Sequence, residues 1–305
     1  MSQTTSHLLM VRPANFGFNE QTAGSNAFQQ NNADQQQVQQ KALQEFDAFV
    51  ALLQGHGIDV SVIEDTDEPT KPDAIFPNNW VSFHDNGDVL VYPMQAENRR
   101  LERNEAGIRK LEEKFKVKHI IDLSRFEKQD KFLEGTGSMV LDRENKIAYA
   151  CLSPRTDAEV LDTFCQHLKY QAVTFNATDA NNQAIYHTNV MMCVGSKFAV
   201  ICLDSIQNSI EKQTVTVSLQ NTGKKIIAIT LDQMNRFAGN MLEVQNKDGQ
   251  SLLIMSHSAH QSLTAEQVTT LEQFTQIVSA DLNTIETIGG GSARCMLAEV
   301  HLPVV

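Results

Sequence analysis

A weak repeat with a period near 53 residues constrains this fold more than any other feature of the sequence. Four segments join an aromatic residue, a polar step and an apolar run, and the fifth copy is the glycine run before Cys295. Residues at the same place in each copy lie 53 to 55 positions apart; these five marker residues are Asn79, Glu134, His187, Asn240 and Cys295. Such a period is typical of propellers and other arrays of supersecondary units. Equivalent positions then approach one axis, so the Cys, His and Glu are predicted to meet.

Strand, helix and strand recur between the markers. Apolar residues at helical spacing predict helices over 34–54, 98–115, 158–168, 205–219 and 264–279. Short apolar or alternating runs predict strands around them, among them 147–151 and 171–175, with the last over 283–288. Because no Pro- or Gly-rich linker divides the chain, we predict a single α/β domain over 1–305, closed as a ring of five units.

Composition limits the partners of the chain. With 41% hydrophobic and 20% charged residues it is a globular composition, and a net charge of −12 argues against a nucleic-acid partner. No apolar run is long enough to cross a bilayer, and the N-terminal residues lack the features of a signal peptide. We therefore expect a cytoplasmic protein with no membrane partner, and the sequence permits a homodimer.

The cysteines and histidines do not form a metal or disulfide pattern. The five cysteines are an odd number without C-x-x-C spacing, which indicates free thiols. No His-x-His, His-x-x-x-His or His-x-x-Glu spacing occurs beside the marker residues, so no metal is expected.

Three marker residues have the chemistry of a nucleophilic site. Cys295 follows three glycines, which allow close backbone approach just before the thiol. His187 is the natural base for that thiol, since the thiolate is the nucleophile. Glu134 lies among small residues and would orient the histidine and accept a substrate N–H. The alternatives are a structural histidine and a turn-capping glutamate, but the shared register favours a catalytic Cys295, His187 and Glu134.

The motifs around these residues resemble those of the amidinotransferase and arginine deiminase superfamily, which has the pentein fold. The segments are Glu134-Gly-Thr-Gly, Tyr186-His187-Thr-Asn and Gly-Gly-Gly-Ser-Ala-Arg-Cys295, and the resemblance starts at Val11-Arg-Pro. The segments Val11-Arg-Pro-Ala-Asn-Phe-Gly-Phe-Asn and Phe76-Pro-Asn-Asn-Trp-Val resemble most closely the citrulline-utilising hydrolase branch. It implies a five-bladed β/α propeller of pseudo-five-fold ββαβ repeats with the active site on its axis. It also implies hydrolysis or transfer at a guanidino or ureido carbon through a covalent thio-intermediate, without metal or cofactor.

The resemblance also suggests substrate-binding residues. Arg155, in Ser-Pro-Arg-Thr, is similar to the arginine that holds the substrate α-carboxylate in dimethylargininase-like members, and Arg99 and Arg100 lie where another such arginine is often kept. Arginine deiminases carry aspartates at the positions of Asn79 and Asn189. Asp73 lies six residues before Asn79 and is a further carboxylate candidate.

The two asparagines favour a neutral ureido substrate in this interpretation. Losing charge-assisted hydrogen bonds weakens binding of a guanidinium, whereas an amide both donates to a ureido oxygen and accepts from its NH2. The main hypothesis is therefore hydrolysis of citrulline to ornithine, carbon dioxide and ammonia. Its alternatives are a guanidino hydrolase, which is an arginine deiminase, an arginine dihydrolase or a dimethylargininase-like enzyme, and a non-catalytic pentein binding module.

Overall fold

Five small mixed sheets form the framework of the protein. The computed structural model describes residues 2–30 and 35–305, and every sheet in that part of the chain has three strands. The strands are β1 His7–Arg12, β2 Asp59–Glu64, β3 Val81–Phe83, β4 Asp88–Val91, β5 His119–Asp122, β6 Val140–Asp142, β7 Ile147–Cys151, β8 Gln171–Phe175, β9 Met192–Val194, β10 Phe198–Ile201, β11 Lys225–Ala228, β12 Leu242–Gln245, β13 Ser251–Ser256, β14 Gln276–Ala280 and β15 Ala298–Glu299.

All five sheets have the same topology. A central strand pairs parallel with the strand that follows it and antiparallel with a shorter strand, in the orders β15-β1-β2, β3-β4-β5, β6-β7-β8, β9-β10-β11 and β12-β13-β14. In the third of these, Val140 pairs antiparallel with Tyr149, and Ile147 pairs parallel with Gln171. A helix spans the crossover between parallel strands, as parallel pairing requires. The sequence repeat is therefore a structural repeat within an α/β fold.

The helices connect and cover the sheets. They are α1 Glu20–Ala23, α2 Gln35–Gly55, α3 Glu97–Arg100, α4 Glu105–Leu111, α5 Gly135–Ser138, α6 Ala158–Leu168, α7 Thr188–Met191, α8 Ser209–Asn221, α9 Leu231–Met234, α10 His257–Ser262 and α11 Ala265–Glu272. Short 3-10 turns occur at Pro77–Asn79, Ser124–Gln129, Leu203–Ser205 and Ala293–Met296. The predicted helix over 34–54 is α2, and Asp34 lies outside the described residues. No described helix is both long and apolar enough to cross a membrane.

Local capping interrupts two of the predicted helices. The helix predicted over 98–115 is divided into α3 and α4, because Asn104 accepts a hydrogen bond from the Gly107 N–H at 2.8 Å and starts a new helix. The helix predicted over 205–219 begins only at α8, where Asn208 accepts from the N–H groups of Ile210 and Glu211. Capping by asparagine outweighs the apolar periodicity that suggested continuous helices.

The helix predicted over 264–279 is wrong in its second half. Helix α11 ends at Glu272, and the chain continues as the strand β14, which pairs parallel with β13. Thr275, Ile277 and Val278 are β-branched, and such residues fit a half-buried strand better than a helix. Pairing with a neighbouring strand therefore overrides the helical spacing.

The strand predicted over 283–288 is also wrong. This segment contains a π-helix at Ile285–Gly289. The N–H groups of Thr284 and Ile285 donate to the carboxylate of Glu45 on α2, at 2.8 and 3.0 Å. A carboxylate that receives the first amides of a helix stabilises it in the way of an N-cap, which the sequence alone does not reveal.

Candidate active site

The marker residues lie on short turns immediately before the antiparallel strands. Asn79 ends a 3-10 turn, Glu134 and His187 precede α5 and α7, and Cys295 lies in the last 3-10 turn. Asn240 lies two residues before the start of β12. All five side chains are buried, and several of these turns contact one another, for example α5 with α7. The structure therefore brings the predicted residues into one region.

Glu134 and His187 form a buried hydrogen-bonded pair. Oε2 of Glu134 lies 2.7 Å from Nε2 of His187, while Oε1 accepts the N–H of Gln95 at 3.0 Å. Burial disfavours the charged carboxylate, but the charge of Arg155 and the hydrogen bond from His187 outweigh it and lower the pKa of Glu134. Burial also lowers the pKa of His187 to about 4, although Glu134 opposes this. His187 is therefore neutral near pH 7, with Nε2–H donating to Glu134 and a lone pair on Nδ1.

Cys295 contacts two asparagine amides. Its Sγ atom lies 3.3 Å from Nδ2 of Asn240 and 3.5 Å from Nδ2 of Asn189. All five cysteines are free and buried, and burial raises the pKa of Cys151 to about 11. Cys295 differs from Cys151 in lining a pocket together with His187.

That pocket is a narrow, polar cleft. Besides Cys295 and His187, its walls include Tyr186, which we did not predict for binding, and four predicted substrate-binding residues. Those four are Asp73, Asn79, Arg99 and Arg155. The tyrosine donates its O–H to the Gly290 carbonyl at 2.6 Å.

Asp73 has one oxygen without a partner. Its Oδ2 accepts from Nδ2 of Asn19 at 2.7 Å and lies 3.6 Å from Nε of Arg99, whereas Oδ1 is buried and makes no hydrogen bond. Burial raises the pKa of Asp73, and neither Arg99 nor the hydrogen bond from Asn19 offsets it. An ionised Asp73 thus has too little compensating positive charge, which a cationic ligand would supply.

The two asparagines that we predict to bind substrate, Asn79 and Asn189, also have buried polar atoms without hydrogen-bond partners. Asn79 accepts from Nη1 of Arg99 at 3.0 Å through Oδ1, but its Nδ2 is unpaired. Asn189 has an unpaired Oδ1. Buried polar groups are nearly always hydrogen-bonded, so these atoms are suited to a polar ligand.

The three arginines differ in availability. Arg99 forms a two-bond fork with Glu102, at 2.8 and 3.0 Å, so most of its donors are already used. Arg155 donates to Ser25 at 2.6 and 3.2 Å and lies 3.5 Å from Glu134 through Nη1. Arg100 donates to the carbonyl groups of residues 94 and 95 instead and does not line this pocket.

Glycines allow the close packing of the site. A Cβ atom at Gly137 would lie 2.3 Å from Nδ2 of Asn79 and 2.9 Å from Nδ1 of His187. Gly290 has a φ of 64°, and a Cβ there would lie 2.6 Å from Nδ2 of Asn26. Side chains at these positions would displace polar residues of the pocket.

Sequence reasoning missed several residues of this region. Asn240 was recognised only as a marker residue, although its shared register pointed to the axis. Asn19 and Asn26 support Asp73 and the glycine run, and no pattern in the sequence identifies them. Among residues 2–30 and 35–305, no three His, Cys, Asp or Glu side chains are grouped as a metal site would need.

Known proteins share this fold. The family described as N,N dimethylarginine dimethylhydrolase, eukaryotic, matches residues 12–302. No curated protein matches the sequence significantly. A solved structure of the N-terminal domain of ArgZ, an arginine dihydrolase from the ornithine-ammonia cycle in Cyanobacteria, has a TM-score of 0.76 and 17% identity, covering 98% of this chain and 99% of that one.

Two further structures are similar. Unliganded AgrE has a TM-score of 0.77 and 18% identity over 98% of this chain and 40% of its own. A dimethylarginine dimethylaminohydrolase adduct with S-methyl-L-thiocitrulline has a TM-score of 0.64 and 14% identity, over 97% of this chain and 99% of its own. The chain spans about two fifths of the whole ArgZ and AgrE chains. The match over 12–302 shows that the chain belongs to the N,N dimethylarginine dimethylhydrolase family of the pentein superfamily, and that it is a hydrolase of carbon–nitrogen bonds.

Proposed function

We propose that this protein hydrolyses the guanidino group of arginine or an arginine derivative through a covalent adduct on Cys295. The observation that carries the proposal is the unpaired Oδ1 of Asp73 in the wall of the pocket that Cys295 lines. A buried carboxylate with too little compensating charge favours a cation, and charge-assisted hydrogen bonds are about twice as strong as neutral ones. The unpaired Oδ1 of Asn189 adds a second acceptor for guanidinium N–H groups.

The proposed reaction begins with the Cys295 thiolate attacking the guanidino carbon. His187 takes the thiol proton of Cys295 through Nδ1 as the thiolate forms. The carbon–nitrogen bond to the terminal nitrogen then breaks, and that nitrogen leaves as ammonia with this proton, which His187 returns from Nδ1. His187 then takes a proton from water through Nδ1, and the water attacks the adduct and expels the thiolate. Glu134 holds the Nε2–H tautomer that leaves Nδ1 free for this exchange. The product of one cycle on arginine is citrulline.

A second cycle on citrulline is consistent with the same pocket. Attack on the ureido carbon releases ammonia and forms a thiocarbamoyl adduct, and hydrolysis of that adduct gives a carbamate that loses carbon dioxide to leave ornithine. Negative charge develops on the ureido oxygen, so a donor must face it. The unpaired Nδ2 of Asn79 is such a donor. The sequence-based hypothesis of a citrulline hydrolase thus becomes the second half of a dihydrolase reaction.

Arg155 is the better candidate for the substrate carboxylate. Its guanidinium lies 5.0 Å above the Tyr186 ring and lines the pocket. Arg155 is also hydrogen-bonded to Ser25 and to the Thr22 carbonyl oxygen, but it forms no two-bond fork with a carboxylate. Arg99 forms such a fork with Glu102 and supports Asn79. We propose that Arg155 binds the carboxylate and that Arg99 positions the Asn79 amide.

The comparisons favour guanidino substrates over citrulline alone. ArgZ is described as an arginine dihydrolase, and the matching family is named for dimethylarginine. ArgZ and AgrE have further chain beyond the part that this protein spans, so their whole activity does not transfer to it.

We also propose that the five sheets are the blades of one closed propeller over residues 1–305. The marker residues lie in the turns that precede the short strands β3, β6, β9, β12 and β15. Contacts join β3 with β15, β6 with β9, and β9 with β12, which is the arrangement expected of inner strands around an axis.

Product analysis tests the proposed reaction. Purified protein is incubated separately with L-arginine, NG,NG-dimethyl-L-arginine and L-citrulline, and the products are identified by mass spectrometry. Ornithine from both arginine and citrulline would establish a dihydrolase. Citrulline as the end product from either guanidino substrate would establish a deiminase or dimethylargininase-like enzyme, and turnover of citrulline alone would contradict the guanidino assignment.

A further inference from the structure

The amide of Asn240 is fixed in one orientation beside the nucleophile. Its Oδ1 accepts from the N–H of Arg294 at 3.0 Å, and its Nδ2 donates to the carbonyl oxygen of Asn189 at 2.9 Å. A flipped amide would place NH2 against the Arg294 N–H and oxygen against the Asn189 oxygen, so both neighbours oppose it. The second hydrogen on Nδ2 is consequently directed at Sγ of Cys295, 3.3 Å away.

The amide of Asn189 is not fixed in this way. Its Nδ2 lies 3.5 Å from Sγ of Cys295, and its Oδ1 has no hydrogen-bond partner. It is therefore free to exchange its contacts for a ligand. One of the two amides around the sulfur is anchored to the backbone, and the other has an unpaired oxygen.

The thiolate has few other stabilising partners. Neutral His187 supplies no positive charge, because burial lowers its pKa to about 4. The guanidinium of Arg294 is buried nearby but donates to Glu299 at 2.7 Å and to the Leu297 carbonyl oxygen at 2.7 Å. A thiolate that forms before substrate binds thus depends on neutral donors.

We propose that Asn240 is a catalytic residue that stabilises the thiolate of Cys295 by donating a hydrogen bond from Nδ2, both before attack and when the adduct releases the sulfur. The inference rests on the proposed function, in which Cys295 is the nucleophile. In the thiol form, Oδ1 lies 3.7 Å from Sγ and is the weaker contact. The side chain of Asn240 therefore meets the sulfur chiefly as a hydrogen-bond donor.

Other ionisable groups near the sulfur also influence how readily it ionises. They are the side chains of Asp73, Arg99, Arg155, Tyr186, His187 and Arg294. A substitution at position 240 leaves all of these side chains in place. A raised midpoint in Asn240→Leu, which adds no charge, therefore reports the loss of the amide donor, whereas the carboxylate of Asn240→Asp adds its own repulsion of the thiolate.

The test is the pH dependence of Cys295 alkylation by iodoacetamide, followed by mass spectrometry of the Cys295 peptide. Asn240→Leu removes the donor without adding charge, and Asn240→Asp keeps an acceptor for the Arg294 N–H. A hydrogen bond to a charged group is strong enough that its loss should raise the midpoint by at least about one pH unit, which is about tenfold less thiolate at a given pH.

Asn246→Asp is the matched control. Asn246 is also buried, and it is hydrogen-bonded to backbone groups at the far end of β12, through the His56 carbonyl at 3.1 Å and the Gln250 N–H at 2.9 Å. Its variant should keep the wild-type midpoint, even if it is less stable to urea.

A wild-type midpoint in either folded Asn240 variant would overturn the inference. If the wild type hydrolyses arginine and both variants keep its midpoint, the proposed function stands and the role of Asn240 fails. A raised midpoint in a protein that turns over neither arginine nor citrulline would support the thiolate contact and reject the proposed function.

Discussion

Replacing Asp73 by Asn should separate arginine from citrulline as a substrate. The two side chains have nearly the same shape, so the oxygen of the new amide can still accept from Asn19, which donates to Oδ2 at 2.7 Å. The amide nitrogen then occupies the place of the unpaired Oδ1. It cannot accept from a guanidinium and would repel its N–H groups.

The magnitude follows from one buried, charge-assisted hydrogen bond. Such a bond contributes about 1.5–3 kcal/mol, which corresponds to a loss of about 10- to 150-fold in kcat/KM for arginine. Citrulline has a neutral ureido group, so its kcat/KM should change less than about threefold, since no charge-assisted bond is lost.

The assay is ornithine or citrulline formation at several concentrations of each substrate. Asp142→Asn is the control, since Asp142 is a buried carboxylate that pairs with Lys224 at 3.3 Å and does not line the pocket. An equal loss for arginine and citrulline in Asp73→Asn would refute the reasoning, because Asp73 would then bind a group that both substrates share.

Three further perturbations test the site. Gly137→Ala should lower kcat by about 100-fold, since the added Cβ would lie 2.9 Å from the His187 ring and displace it; Gly24→Ala, with nothing within 4 Å of the added atom, should keep wild-type kinetics. As the pH is lowered from 6.5 to 4, His187 alone should lower the free energy of unfolding by about 3 kcal/mol, because the unfolded chain binds a proton that the buried ring, with a pKa of about 4, does not. Urea titrations should show a shallower pH dependence of this free energy in His187→Gln but not in the exposed His257→Gln. Cys295→Ser should retain its circular dichroism spectrum and lose turnover of every substrate, and full activity in that variant would reject the nucleophile.

Local signals made some elements predictable to the residue. Strand β7, helix α6 and strand β8 have the predicted bounds. Asp157 caps α6 by accepting from two backbone N–H groups, and Lys169 ends it with a positive φ of 59°. Where the helix cap is a neighbouring polar residue, the end of the helix can be predicted from the sequence.

Long-range contacts were not predictable in this way. Glu45 accepts hydrogen bonds at the start of the π-helix after β14, although it lies 239 residues from Thr284 in the sequence. Strand β14 forms because it pairs with β13. The short antiparallel strands, such as β3 with three residues, have too little sequence to show a period. Only the repeat of the marker residues revealed that such positions belong together.

The site shows the same division. The repeat in the sequence predicted that Glu134, His187 and Cys295 lie close together, although no local motif links them. The pairing of Arg99 with Glu102, which removes most of its donors, and the anchoring of Asn240 depend on three-dimensional contacts. The sequence therefore identifies residues that meet at the site, while their hydrogen-bond partners decide which of them remain available to a ligand.

The most direct test of the central claim is the mass of the Cys295 peptide after a brief incubation with L-arginine and an acid quench. The account predicts a peptide heavier by arginine less one ammonia, on Cys295 and on no other cysteine. An unmodified Cys295 peptide during steady turnover of arginine, together with undiminished turnover in Cys295→Ser, would contradict it.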